Sequence, residues 1–119
     1  MKLYTFHQNQ GTKITKFDSN FVMSKIVQTN QEAHVGCMYL GEKGIIGYHQ
    51  AVVPQLLMIL KGEGLVKGEE GEYVPIKAGE AVFWDKNEWH ETKSENGLVA
   101  IVIESPELEP AKFMHLKYQ

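Results

Sequence analysis

Gly47-Tyr48-His49-Gln50-Ala51-Val52-Val53-Pro54-Gln55, running through an apolar stretch to Gly62-Glu63-Gly64, decides how this chain folds. A segment carrying one histidine ends at a Pro-containing bend, and a second apolar segment opens at Gln55. Further on, Gly79-Glu80-Ala81-Val82-Phe83-Trp84 leads through a polar turn to Trp89-His90-Glu91. Side chains two apart on a strand share a face, so His49 and Ala51 point together, as do Gln55, Leu57 and Ile59. If the first two segments form a hairpin, His49 and Gln55 oppose each other near its mouth. His90 comes from a different hairpin and reaches the same space only if the sheet curls into a barrel.

Outward from this stretch, short β-type patterns recur between Gly, Asn, Pro and charged clusters. They predict strands near 21–28, 33–40, 44–49, 55–61, 63–67, 73–76, 80–84, 90–93 and 98–104. Segments 2–6 and 14–17 are further candidates, and Met114, Leu116 and Tyr118 alternate with His115 and Lys117 as a half-buried edge strand would. Glu69-Glu70-Gly71 and Asn96-Gly97 mark turns. No apolar stripe of helical period persists over three turns. Many short strands with regular turns predict an all-β sandwich or barrel, with residues 1–119 as a single domain.

Composition narrows the partners. A net charge of -3 supplies no basic patch for phosphates, so nucleic acid is not expected. The longest apolar stretch, 51–60, is broken by Pro54 and Gln55 and falls short of the ~20 residues a membrane helix needs. The start of the chain has no continuous apolar run of signal-peptide type. The single cysteine, Cys37, fits a reducing cytoplasm and reads as a small buried hydrophobe in a strand. The terminal segments are candidates for pairing across a homodimer interface. No phosphate-cradling Gly-rich loop, Cys-x-x-Cys pair or Gly-x-Ser-x-Gly elbow occurs.

The residues around His49 and His90 resemble the cupin family. Its first motif places His-x-His, an acidic residue and then a glycine, and here His49, Gln55 and Gly62 fall at those spacings. Its second motif runs from a glycine through a Pro-containing stretch to a histidine, matched by Pro75, Gly79 and His90, with Asn87 at a turn where glycine is common. The likeness covers roughly residues 33–104. It implies a double-stranded β-helix (a jelly-roll barrel), a pocket between two sheets and, in many members, a divalent metal ion such as Zn, Fe, Mn or Ni.

Two departures weaken the metal expectation. Ala51 stands in place of the second histidine, and Gln55 replaces the carboxylate that would offset a dication's charge. Catalytic zinc sites usually carry three good protein ligands, and non-haem iron favours two His plus a carboxylate. His49, Gln55 and His90 are therefore the expected ligands of a weak or degenerate metal site, and with Trp84 they are expected to line a ligand pocket. Glu88 and Glu91 are the nearest carboxylates, although Glu91 should face away from His90. Trp84 and Trp89 read more simply as packing residues with satisfied N–H groups than as a stacking platform. His7, His34 and His115 read as structural or surface groups, and Glu69, Glu70 and Glu72 as a solvated tip. The expected function is binding of a small molecule. The alternative is a metal-dependent enzyme, an oxygenase or isomerase acting on a small polar or carbohydrate-like substrate, and metal-free acid–base chemistry at either histidine ranks below both.

Overall fold

The computed structural model describes residues 1–118. Its strands are β1 (Lys2–Thr5), β2 (Thr12–Ile14), β3 (Phe21–Met23), β4 (His34–Leu40), β5 (Gly44–Gln50), β6 (Gln55–Lys67), β7 (Val74–Lys77), β8 (Glu80–Trp84), β9 (Trp89–Ser94), β10 (Leu98–Glu104) and β11 (His115–Leu116). The larger sheet runs β11-β1-β8-β6-β10-β4, with every neighbouring pair antiparallel. The smaller runs β5-β9-β6-β7. This is an all-β jelly roll, as the strand pattern predicts.

The strand common to both sheets is the main departure from expectation. Segments 55–61 and 63–67 are one strand of 13 residues, β6. Its first half pairs with β8 and β10, and its second with β7 and β9. Gly62 turns the corner with φ +83, and a Cβ there would collide with the Gly97 carbonyl and lie 2.9 Å from Leu98 Cα. Beside it the β6–β10 register slips between Val99 and Ala100, leaving Leu60 as the extra residue of a bulge. Gly62-Glu63-Gly64 is therefore a bend inside a strand rather than a break between two.

The expected hairpin of β5 with the strand from Gln55 does not form. Ala51 instead exchanges hydrogen bonds with the next turn over: its N–H donates to Glu88 O at 3.0 Å and its carbonyl accepts from Asn87 N–H at 2.8 Å. This carries β5 away from β6 and onto β9. Asn87 takes φ +71, the conformation for which glycine is common at that turn.

Between the sheets, Leu57, Ile59, Val66, Ile76, Val82, Trp84, Ala100 and Val102 form the main core. The far face of the larger sheet carries a second cluster, in which Tyr4, Leu56, Met58 and Ala81 are covered by Leu108 and Met114, with Ile26 and Val27 at its margin. Strand structure at 21–28 thus stops at Met23, because Ile26 and Val27 serve as a cover and not as a ladder. Among the described residues of the C-terminal segment, strand pairing is confined to His115–Leu116; Met114 is buried, but Leu116 and Tyr118 are exposed, so the alternation there does not mark a half-buried strand. Cys37 is also exposed rather than buried, because it sits on the outer face of the edge strand β4.

Candidate functional site

A bulge aims the first histidine. In β5–β9, Ile46 pairs with Thr92 and His49 with His90, so three steps on β5 match two on β9. The inserted residue reverses the parity, and His49 comes to share a face with His90 that strict alternation from Ile46 would deny it. The rings lie 4.3 Å apart between centroids at 56°. The two histidines are thus direct cross-strand partners, a closer relation than meeting across a curled barrel.

Each imidazole is held in the same way. His49 Nδ1 lies 2.7 Å from the Gly47 carbonyl, and His90 Nδ1 lies 3.2 Å from the Glu88 carbonyl. A carbonyl oxygen only accepts, so in both rings Nδ1 carries the proton and Nε2 presents a lone pair. His90 is 1% exposed, and its Nε2 is buried without a hydrogen-bond partner among the described residues. Burial lowers its pKa from 6.5, overriding the Glu88 carbonyl bond that raises it, and the neighbouring His49 lowers it further. His49 stands exposed at the rim.

Behind His90 lies Trp84, its indole stacked on the imidazole at 4.3 Å and 25°. Trp84 is fully buried, and its Nε1–H has no partner among the described residues, contrary to the satisfied N–H expected of a packing indole. Gln55 pairs with Trp84 across β6–β8, so the two side chains leave the sheet on the same face. The structure therefore brings together His49, His90 and Trp84, with Gln55 beside Trp84. The interior next to His90 is filled by the indole, and of the two imidazoles it is His49 that meets solvent.

The nearby carboxylates are engaged elsewhere. Glu91 points to the outer face, as expected, and accepts from the Tyr73 hydroxyl. That hydrogen bond raises the tyrosine pKa. Glu88 accepts from Asp85 N–H at 3.0 Å and lies 2.6 Å from the Met1 amino group. Glu69 is more than a solvated tip, because it accepts from Trp89 N–H at 3.1 Å. Trp89 stacks on Tyr48 on the outer face with centroids 5.4 Å apart.

One carboxylate was missed in the sequence. Glu104 pairs with Gln55 across β6–β10 and shares the face of Ala100 and Val102, which belong to the core. It borders a groove of about 270 Å³ with His34, Val52, Val53 and Ser105. The signal was available: parity along 98–104 puts Glu104 inward once Ala100 and Val102 are.

The donors fit a cation only in part. Two Nε2 lone pairs, each oriented by a backbone acceptor on Nδ1, are what an imidazole-bound metal requires. Yet no three His, Cys, Asp or Glu side chains converge among the described residues, so no carboxylate or thiolate completes the shell. His49, His90 and at most the Gln55 amide suit a weakly held ion and not a tight three-ligand centre.

Comparison with known proteins agrees with this fold. A cupin-domain family profile matches residues 36–104. No curated protein matches the chain. Among solved structures, a predicted oxalate decarboxylase from Thermotoga maritima is 28% identical, with TM-score 0.55 over 60% of this chain and 64% of that one. An RmlC-like cupin from Shewanella frigidimarina superposes with TM-score 0.60 at 20% identity, covering 66% and 70%. A putative ethanolamine utilization protein Q from Salmonella typhimurium gives 0.55 at 23% identity, covering 62% and 58%. With a profile spanning more than half its length and a jelly roll that pairs the two motif histidines, the chain belongs to the cupin family.

Proposed function

We propose that this cupin binds a small polar molecule at the rim formed by His49, Gln55 and His90, with Trp84 as the wall behind, and holds a divalent cation there only weakly. The observation that carries this reading is the buried, unpartnered Nε2 of His90 beside a second imidazole of the same tautomer. Unprotonated Nε2 atoms accept hydrogen bonds or bind Lewis acids, so the pair calls for a ligand hydroxyl or amine, or a cation. A buried polar atom left without a partner costs about 1–3 kcal/mol, which a ligand supplying that hydrogen bond recovers.

A metal-dependent oxygenase or isomerase is the second reading, favoured by the same pair of lone pairs. A bound cation would act there as a Lewis acid or oxygen-activating centre, held by His49 and His90. The neutral Gln55 and Ala51 argue for weak retention.

Titration of untagged, chelator-treated protein with Zn²⁺ and Co²⁺ by calorimetry tests both. Weak binding that vanishes in His49→Ala and His90→Ala supports the first reading. One ion per chain that survives dialysis against chelator overturns it in favour of the second. Binding unchanged in both variants overturns the site itself.

The working unit is taken to be a homodimer in the cytoplasm. Supporting this are the lone cysteine, the uncovered apolar surface described next and the absence, among the described residues, of a helix long and apolar enough to cross a membrane.

A further inference from the structure

The β2–β3 hairpin has no place in its own chain. It forms a separate two-stranded sheet, and among the described residues its strands pair only with each other. All three residues of β3 are exposed, including Phe21, Val22 and Met23. At its tip Phe17 is 96% exposed and takes φ +60, and Asp18 follows at φ +58. A groove of about 380 Å³, lined by Phe6, Ile14, Met23 and Phe113 among others, separates the hairpin from the body. An isolated two-stranded hairpin is at best marginally stable in water, so this one lacks the floor it needs.

The body has a floor without a cover. On the far face of the larger sheet, Leu108 and Met114 roof one part, and the cluster fades at Ile101 and Ile103, which are only partly buried. Beyond them lies β4, the last strand of the sheet, with its outward row Val35, Cys37 and Tyr39 directly paired to Ile103, Ile101 and Val99. Val35 is 66% and Tyr39 76% exposed, and Leu60 adds to the same strip. Among the described residues, no strand pairs with the far edge of β4.

The surface balance matches one missing contact. A compact chain of this size exposes about 6,500 Å². This one exposes 7556 Å². The excess, roughly 1,000 Å², is close to the ~800 Å² each partner buries in a standard interface. The radius of gyration, 14.6 Å, likewise exceeds the compact expectation of about 13.5 Å.

We propose that the hairpin is an exchanged arm: in a symmetric dimer each chain lays Phe17, Phe21 and Met23 across the Val35–Cys37–Tyr39 strip of a second copy. Both halves of the contact lie on every chain, so a two-fold arrangement closes with two identical contacts and leaves neither half exposed. This deepens the homodimer reading and rests on it, while standing independently of the histidine site.

Sedimentation velocity of the full chain separates the two. A dimer is expected for the wild type, and a monomer at every concentration overturns the homodimer reading itself. Phe21→Lys with Met23→Lys, and separately Val35→Glu with Tyr39→Glu, are each expected to weaken dimerisation by about 100-fold or more with unchanged circular dichroism. Phe17→Ser, at a side chain almost wholly in solvent, serves as the variant least able to disturb the fold and is expected to weaken it too. Mixing the arm-Lys and strip-Glu variants should restore dimers, because the mixed pair keeps one native contact and makes the other between opposite charges. A wild-type dimer that all three variants leave intact, or a mixture that stays monomeric, overturns the exchanged arm while sparing the homodimer.

Discussion

At the scale of single residues, the chemistry turns on a protonation state. His90 is buried with its pKa held below 6.5, chiefly by loss of solvation and further by His49. Above that value both folded and unfolded chains carry it neutral. As pH falls below 6.5, the unfolded chain takes up a proton that the folded chain refuses, so stability declines toward acid. Thermal melts in chelator between pH 7 and 5 should show this decline, and His90→Gln should flatten it; an unchanged slope would mean His90 charges freely in the fold. Motif spacing singled out His49 and His90, which the structure pairs across β5–β9, and the placement of Asn87 in a glycine-like turn was legible as well. Glu104 was not picked out although parity along 98–104 places it inward; what the β6–β10 register adds is its neighbour, Gln55. The exposure of Cys37 was hidden: β4 alternates like any strand, and nothing local says that its outer face has no cover.

At the scale of elements, two irregularities build the site. The β5 bulge inserts one residue between Ile46 and His49. Deleting Gly47 makes two steps on β5 match two on β9, so strict alternation alone should keep His49 opposite His90, and cation or ligand binding at the pair should persist while the jelly roll still folds. Calorimetric titration of the deletion variant, with circular dichroism as the control, checks this, and binding lost from a folded variant would show that parity is not what brings the two rings together. The second irregularity is the Gly62 corner of β6. Gly62→Ala forces a side chain into the Gly97 carbonyl at positive φ and is expected to cost about 1–3 kcal/mol in urea unfolding. The strands themselves were readable from period-2 patterns. Their partners were not: glycines that read as breaks proved to be bends, and a Pro-containing link that read as a hairpin carries the chain to a different neighbour.

At the scale of the whole molecule, the ends of the chain secure the larger sheet. Lys117 reaches Glu80 at 3.1 Å, and Glu80, itself buried, also accepts from Lys77 N–H. Burial alone would lower the lysine pKa, and the Glu80 hydrogen bond and charge more than offset that and raise it. Lys117→Ala leaves a buried carboxylate without its cation and should destabilise the fold by about 3 kcal/mol, the low end for such a loss because the Lys77 N–H remains. Chemical denaturation of this variant measures it, and a change under about 0.5 kcal/mol would place the pair among the inconsequential surface contacts. If the hairpin arm docks on a second copy, the wild-type melting temperature should rise with protein concentration, and that of the Phe21→Lys, Met23→Lys variant should not.

The amino-acid sequence by itself determined an all-β chain, the identity of its strands and the pair of histidines worth watching, since side-chain periodicity and turn chemistry are local. Only the tertiary structure decided that the two rings are cross-strand neighbours, that their free nitrogens are both acceptors and that an indole fills the space behind them. Those outcomes depend on one inserted residue in β5 and on which strand edge each segment meets. Strand pairing is set by the total burial of two opposed faces, a sum over the whole fold that no single stretch of sequence contains.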